Sequence, residues 1–146
     1  MQVGVCADPK YGPALAQAGF DFVELNVQQH LMPLADDATF EPELARIKAA
    51  GLPAIAANSF VPGSLKITGP VVDRAALEAY AETAFSRAQA AGIRTIVFGS
   101  GGARQIPDGF DRDQAWEQLV WFGAMVGPRA QAHDVTVVVE PLNVTR

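Results

Sequence analysis

The apolar and polar positions along the chain repeat one local pattern. An alanine-rich stretch with apolar residues at helical spacing ends at a glycine, and a short β-branched or aromatic run follows. Ala18-Gly19 precedes FDFVEL, Ala50-Gly51 precedes LPAIAA, and Ala91-Gly92 precedes IRTIVF. A glycine there suits the position just past a helix, where a positive φ is needed. The near-continuous apolar run after it reads as a strand of a buried parallel sheet. In a fourth copy, Ala132-His133-Asp134 before VTVVVE, two residues that also suit a helix end and turn replace the glycine.

This reading predicts strands at Val3–Ala7, Phe22–Val27, Ala54–Asn58, Thr95–Gly99 and Val135–Glu140. Helices are expected over about Gly12–Ala18, with Pro13 in the first turn, over Glu41–Ala50, over Asp73–Ala91 with Asp73 as cap, and over Asp111–Ala132. Gly127-Pro128 predicts a kink or break in the last of these. Trp116 and Trp121 are expected to pack in the core or between helices. Alternating strands and helices imply a parallel sheet with right-handed crossovers. The first strand-loop, CADPKYG, has neither G-x-G-x-x-G nor a phosphate loop, which removes the usual reason to choose a nucleotide-binding doubly wound sheet. Polar residues close successive strands (Glu24, Asn26, Asn58, Ser100, Glu140), as at the rim of a barrel. The expected fold is therefore α/β, a parallel (β/α) barrel of TIM type.

A complete barrel needs about eight βα units and about 250 residues. Residues 1–146 supply four units and a fifth strand, so they are expected to form a single partial barrel domain, the N-terminal half, with the C-terminal half absent. An uncovered fifth strand is a liability. The expectation is either a truncation or a half-barrel that completes itself with another chain.

Composition narrows the class. Apolar residues make up 49% of 146 positions, charged residues 18%, and the net charge is −5. That is a globular composition, and its acidity argues against a nucleic-acid or anionic-membrane surface. The one cysteine, Cys6, excludes an internal disulfide, and its setting VGVCA predicts a buried strand residue. No leader-like or transmembrane-length apolar run is seen, so a cytoplasmic location is expected.

The sharpest chemical signal is Glu140. The strand VTVVV ends on this carboxylate, and Pro141 stops the strand behind it. A carboxylate there needs a metal, a substrate or a basic partner. An ion pair with a neighbouring Lys or Arg is the competing reading. Asn143 follows three residues later. Glu24 shares a pleat face with Phe22 and Asn26 and reads either as a substrate contact or as part of a rim salt bridge. His30 falls in the loop after the second strand, where it would touch a sugar hydroxyl or simply be a surface residue. Asn58 closes the third strand as a hydrogen-bonding candidate. Ser100-Gly101-Gly102 reads as a flexible loop whose backbone N–H groups suit a hydroxyl or phosphate, with Arg104 behind it, or as a plain tight turn. Asp8, Lys10 and Tyr11 would add to the rim.

VVVEPLN resembles the fifth-strand motif of the xylose isomerase-like sugar isomerases and epimerases, and FGSGGAR followed by IPDGFDRDQAWEQL is similar to the rim loop before it. FDFVEL and NSFVP resemble the family's second and third strands. The resemblance runs over essentially the whole chain. It implies a divalent metal (Mn, Mg or Co) in the complete enzyme, with Glu140 as metal ligand and catalytic base candidate. The remaining ligands and a second base would come from later strands. It also implies proton transfer between adjacent carbons of a sugar, sugar phosphate or hydroxy-ketone through an enediolate, and substrate contacts from Glu24, His30, Asn58, Ser100, Gly101, Arg104 and Asn143. The family's Arg after EPLN is shifted here to Arg146, so no role is carried onto it.

The leading expectation is the N-terminal portion of a metal-dependent sugar isomerase or epimerase, inactive alone and without tight metal binding. The alternative is a non-catalytic half-barrel that self-associates or pairs with a partner. An apurinic-site endonuclease fits less well, because such enzymes use several His ligands and a basic face, whereas this chain has two His and a net charge of −5.

Overall fold

The five expected strands lie in one parallel sheet in chain order. The computed structural model describes residues 1–142. The strands are β1 (Gly4–Cys6), β2 (Phe22–Asn26), β3 (Ala54–Asn58), β4 (Thr95–Phe98) and β5 (Thr136–Val139). They alternate with α1 (Gly12–Gln17), α2 (Asp37–Lys48), α3 (Arg74–Ala91), the short α4 (Gly101–Arg104) and α5 (Arg112–Ala132). Each strand pairs with its sequence neighbour, with Cys6 opposite Glu24, Asn26 opposite Asn58 and Phe98 opposite Val139. This is the partial barrel expected from the repeat.

Side-chain alternation divides the sheet. Val23 and Leu25 of β2, Ala57 of β3, and Ile96 and Phe98 of β4 are buried against the helices. Glu24, Asn26 and Asn58, which alternate with them, face the other, open side, as do Cys6 at the end of β1 and Glu140 after β5. The helix-side core centres on Phe60, which lies 5.4 Å from Phe85 and 6.2 Å from each of Phe98, Phe122 and Tyr80, ring to ring. The Tyr80 hydroxyl donates to the Phe60 carbonyl at 2.7 Å, so its polar end is satisfied inside the core.

Helix ends follow local chemistry. Asp73 and Asp111 accept from the N–H groups of Ala76 and Gln114. Gly92 closes α3 at φ 84°, and in the degenerate fourth repeat Asp134 takes the same left-handed region at φ 57°. Two helix expectations are corrected. The second helix starts at Asp37, four residues before Glu41, because Asp36 caps it through the Thr39 N–H and leaves Pro42 inside. Gly127-Pro128 does not break α5. Phe122, Met125 and Val126 before the proline and Ala130 after it are all buried, and this packing holds the helix through the missing hydrogen bond.

Three burial expectations also change. Cys6 is exposed, because it sits on the open face of β1. Trp116 is 67% exposed on the outer side of α5, while Trp121 is half-buried with the Arg74 guanidinium 4.5 Å from its ring. The β5 strand, read as buried, has Val139 at 67% exposure, since no element among the described residues covers it.

Candidate active site at the C-terminal ends of the strands

The open face carries its polar groups at the ends of consecutive strands. On β1–β3 the Asn58 amide donates to Glu24 Oε1 at 2.8 Å and reaches Cys6 Sγ at 3.4 Å. Glu24 is in no ion pair among the described residues. One of its oxygens is thus bound to a neutral donor and the pair faces the open side. Partial desolvation of the thiol first, then the negative charge of Glu24, raises Cys6 above the ordinary thiol value although the residue as a whole is exposed.

The chain leaves β2 through one wide π-turn, Val27–Leu31, capped by the Asn26 side chain on the Gln29 N–H at 3.1 Å and ended by Met32 at φ 49°. This turn folds His30 inward. The residue is only 6% exposed, a correction of the surface-loop reading. Its Nδ1 lies 2.7 Å from Glu43 of α2. Arg46, one turn on, grips Glu43 with Nε and Nη2 and reaches Asp8 with Nη1 at 2.7 Å. Burial alone would raise the Glu43 carboxyl. The hydrogen bonds and charges of Arg46 and His30 outweigh it and hold the group below its ordinary range. Asp8 is lowered as well, chiefly by the Lys10 N–H and then by Arg46. Asp8 also caps the short turn Pro9–Tyr11, and Lys10 lies over the Tyr11 ring rather than over the site. A cavity of 240 Å³ between these strand ends is lined by Cys6, Asp8, Glu24, Asn26, His30 and Asn58, with Ala7 and Gln29.

Beyond β3 and β4 the rim is locked rather than flexible. Ser100, at φ 42°, opens α4, and its hydroxyl accepts from the Val61 N–H at 2.9 Å. Lys66 donates to the Gly102 carbonyl, Ile67 N–H to the Ala103 carbonyl, and Thr68 to the Gln105 carbonyl. Gly63 and Gly102 meet backbone to backbone, leaving no room for a Cβ to sit at ease at 102. The loop that sequence patterning reads as mobile is thus pinned by its neighbour, and part of the Ser100 hydroxyl's capacity is already used.

Glu140 follows β5 directly, its N–H bonded to the Phe98 carbonyl at 3.1 Å. Its carboxylate lies over Gly99, where any Cβ would overlap Oε2. Arg104 donates to the Glu140 backbone carbonyl and stacks 5.2 Å from the Phe98 ring, so it braces this strand end. The Glu140 carboxylate itself is in no ion pair among the described residues. Gly101 packs against Leu142. Asn143 lies outside the described residues.

Of the expected site residues, Glu24, His30 and Asn58 therefore stand together at β1–β3, and Ser100, Gly101, Arg104 and Glu140 at β4–β5. Sequence reading missed Cys6, Glu43, Arg46 and Gly99 as site residues. The Glu43/Arg46 spacing of i,i+3 was a usable signal for an ion pair, though not for its link to His30. Among the described residues no three His, Cys, Asp or Glu side chains gather closely enough to hold a metal ion. No helix among them is long and apolar enough to cross a membrane.

The family model described as xylose isomerase-like TIM barrel matches residues 13–145. No curated protein sequence matches the chain. Among solved structures, D-psicose 3-epimerase from Clostridium cellulolyticum H10, with D-tagatose, superposes with a TM-score of 0.77 at 20% identity, covering 98% of this chain and 53% of that one. 3-Keto-D-glucoside 4-epimerase from E. coli gives 0.70 at 19% identity, covering 98% and 57%. Mannonate dehydratase from Streptococcus suis serotype 2 gives 0.67 at 16%, covering 97% and 52%. The chain spans about half the length of the solved structures it matches, and at these identities the likeness establishes the fold.

Proposed function

The chain belongs to the xylose isomerase-like TIM barrel family, and from that premise we propose that it supplies the N-terminal half of the active site of a sugar isomerase or epimerase. The observation that carries the reading is the placement of Glu24, Asn58 and Glu140 on one open face at the C-terminal ends of β2, β3 and β5, where barrel enzymes do their chemistry. Glu24 and Asn58 present paired acceptor and donor groups to sugar hydroxyls. His30 adds a ring nitrogen beside them. Ser100, Gly101 and Arg104 shape the β4 side of the site, and Asn143 would extend it beyond the described residues.

In this reading Glu140 is the carboxylate that receives a proton from the carbon next to the carbonyl, or that anchors a divalent metal, Mn, Mg or Co, in the complete barrel. Such a metal polarises a carbonyl and stabilises an enediolate. Further ligands and the opposing base would come from outside the described residues. The substrate is a small sugar or sugar derivative, and sugars or keto-sugars are what the named epimerase structures act on or contain.

Deuterium exchange tests the proposal. The protein at its full natural length, given Mn²⁺, Mg²⁺ or Co²⁺ and a panel of ketoses in D₂O, should place deuterium on a carbon adjacent to the carbonyl. Glu140→Gln should abolish the exchange. Absence of exchange across the panel would overturn it.

A second reading, a half-barrel that pairs with another copy, is favoured by one observation. An apolar groove of 830 Å³ runs between α5 and β5 and includes Trp116, Leu119, Val120 and Val139, three of them largely exposed. Light scattering after gel filtration distinguishes the two: a dimer whose formation is lost in Val139→Lys supports pairing, and a monomer at high concentration refutes it.

A further inference from the structure

We propose that Glu43 is a positioning residue that holds His30 as the Nδ1–H tautomer, so that its bare Nε2 reads a hydroxyl donor at the β1–β3 rim and this end of the ligand is an uncharged polyol rather than a phosphate. The proposal rests on the sugar reading above only for what the ligand is; the tautomer stands on geometry alone. Four observations lead to it.

First, the Nδ1–Glu43 contact is short, 2.7 Å, and part-buried. Arg46 grips both Glu43 oxygens at 2.8 Å, which keeps the carboxylate ionised and therefore an acceptor only. A neutral imidazole can face it only with its Nδ1 proton. The opposite tautomer would set a lone pair against a negative oxygen.

Second, Nε2 has no protein partner among the described residues, yet it is not sealed off: the one buried, unpartnered side-chain polar atom among them is Arg87 Nε. His30 lines the 240 Å³ cavity, and we take that space to be the one its free nitrogen serves.

Third, the π-turn that carries His30 is fixed at both ends, by the Asn26 cap and by the left-handed Met32. A wide turn of this kind inside a strand exit is a costly local geometry that recurs at functional sites.

Fourth, no Lys or Arg among the described residues lines the cavity. Asp8 and Glu24 both line it, and Arg46 directs Nε, Nη1 and Nη2 at Glu43 and Asp8. A phosphate dianion has no proton to give Nε2 and would meet two carboxylates. A sugar hydroxyl donates to Nε2 or Glu24 and accepts from Asn58.

The test is long-range ¹⁵N–¹H correlation on the ¹⁵N-histidine-labelled chain, read at a pH where the rings are neutral. There are two histidines to assign, and His133, with both ring nitrogens against Gln89 and Glu82, serves as the internal control. His30 is expected as the Nδ1–H form. Glu43→Gln, which keeps an accepting oxygen, should retain it, and Glu43→Ala should let the ring revert to the Nε2–H form usual in water. Inorganic phosphate added to the wild type should leave the His30 nitrogens unmoved. An Nε2–H ring in the wild type, a tautomer indifferent to Glu43→Ala, or saturable phosphate shifts at His30 would each overturn the proposal. Should Glu43→Ala unfold the chain, the wild-type tautomer, Glu43→Gln and the phosphate titration decide it. No sugar is present in the tautomer measurement, so a failure of the isomerase reading, seen as missing deuterium exchange, is separate from a failure of this one.

Discussion

Arg87 of α3 is 4% exposed, and its guanidinium reaches across to the loop that follows the His30 turn. Nη1 donates to the Leu31 carbonyl at 3.0 Å and to that of Met32, and Nη2 donates to the Ala35 carbonyl at 2.8 Å and to Asp37 at 2.9 Å. Phe40 lies under the guanidinium at 4.6 Å. Arg87→Met keeps most of the apolar stem but strands three carbonyls. At about 1 kcal/mol each, the low end for a buried acceptor since water can reach part of this loop, the loss is about 3 kcal/mol. The Asp37 contact adds little, because that carboxylate is 91% exposed. The substitution also removes the buried Nε, which lacks a partner and costs about 1 kcal/mol as it stands. The net expectation is a loss of about 2 kcal/mol. Urea unfolding followed by circular dichroism should show the midpoint falling by roughly 1 M with an unchanged slope. Amide exchange should accelerate at residues 31–37 before it does in the sheet. Arg87→Lys, with donors but no planar fork, should fall between. A Met variant within about 0.5 kcal/mol of wild type, or one that loses protection uniformly, would refute the assignment of Arg87 as the clamp of this loop.

Four shorter predictions address the site. Gly99→Ala should leave stability within about 1 kcal/mol, because the obstructing atom is the end of a flexible side chain, yet it should displace the Glu140 carboxylate and reduce deuterium exchange by the full-length protein at least as far as a tenfold loss. Glu24→Gln removes a negative charge beside the raised Cys6 thiol, so iodoacetamide labelling of Cys6 at pH 8 should speed up; an unchanged rate would deny the contact. Glu43 is depressed in the folded state, so its contribution to stability is present above the ordinary Glu value, about 4.3, and is lost as pH falls through the folded value. The stability gap between wild type and Glu43→Gln should accordingly close in acid, and a gap that widens there would be contrary to the sign derived. Titration calorimetry of Mn²⁺ into this chain should show no tight binding, and sub-micromolar affinity would mean that copies assemble a site the described residues of one chain lack.

The fold was legible because strand and helix ends are written in short range. The three Ala-Gly junctions and the Asp73 cap each depend on residues within one turn, and the structure uses them as expected; Asp111, expected as the first helical residue, serves as a cap in the same way. Asp36 carries a signal of the same short range, its side chain accepting from the Thr39 N–H and so setting the helix start ahead of Glu41. What the sequence hid were relations between segments far apart. His30 reads as a surface loop residue until Glu43 of the next helix closes on it. Ser100-Gly101-Gly102 reads as mobile until residues 61–68 pin it. Cys6 and β5 read as buried because apolar strands usually are, but Cys6 sits on the open face and Val139 is left uncovered among the described residues.

The two faces of the sheet explain why so much of the candidate site can be traced despite those gaps. In β2 the period of two sends Val23 and Leu25 into the helix-side core and leaves Glu24 and Asn26 on the other face. A slip of one residue would bury Glu24 among Phe and Ile side chains at a cost of several kcal/mol, so the core fixes the register, and the register fixes the site. The same holds for β5, where Val137 packs inward beside the helix layer and Glu140 is thereby turned over Gly99. Variation on the open face is consequently free to set chemistry as long as the helix-side alternation stands. It follows that Leu25→Asp, which attacks the packing face, should unfold the chain. Glu24→Leu, which adds apolar surface on the open face, should leave the unfolding midpoint nearly unchanged while removing the Asn58 partner. If Glu24→Leu unfolds the chain as readily as Leu25→Asp does, the open face is not open, and Glu24 is a structural residue.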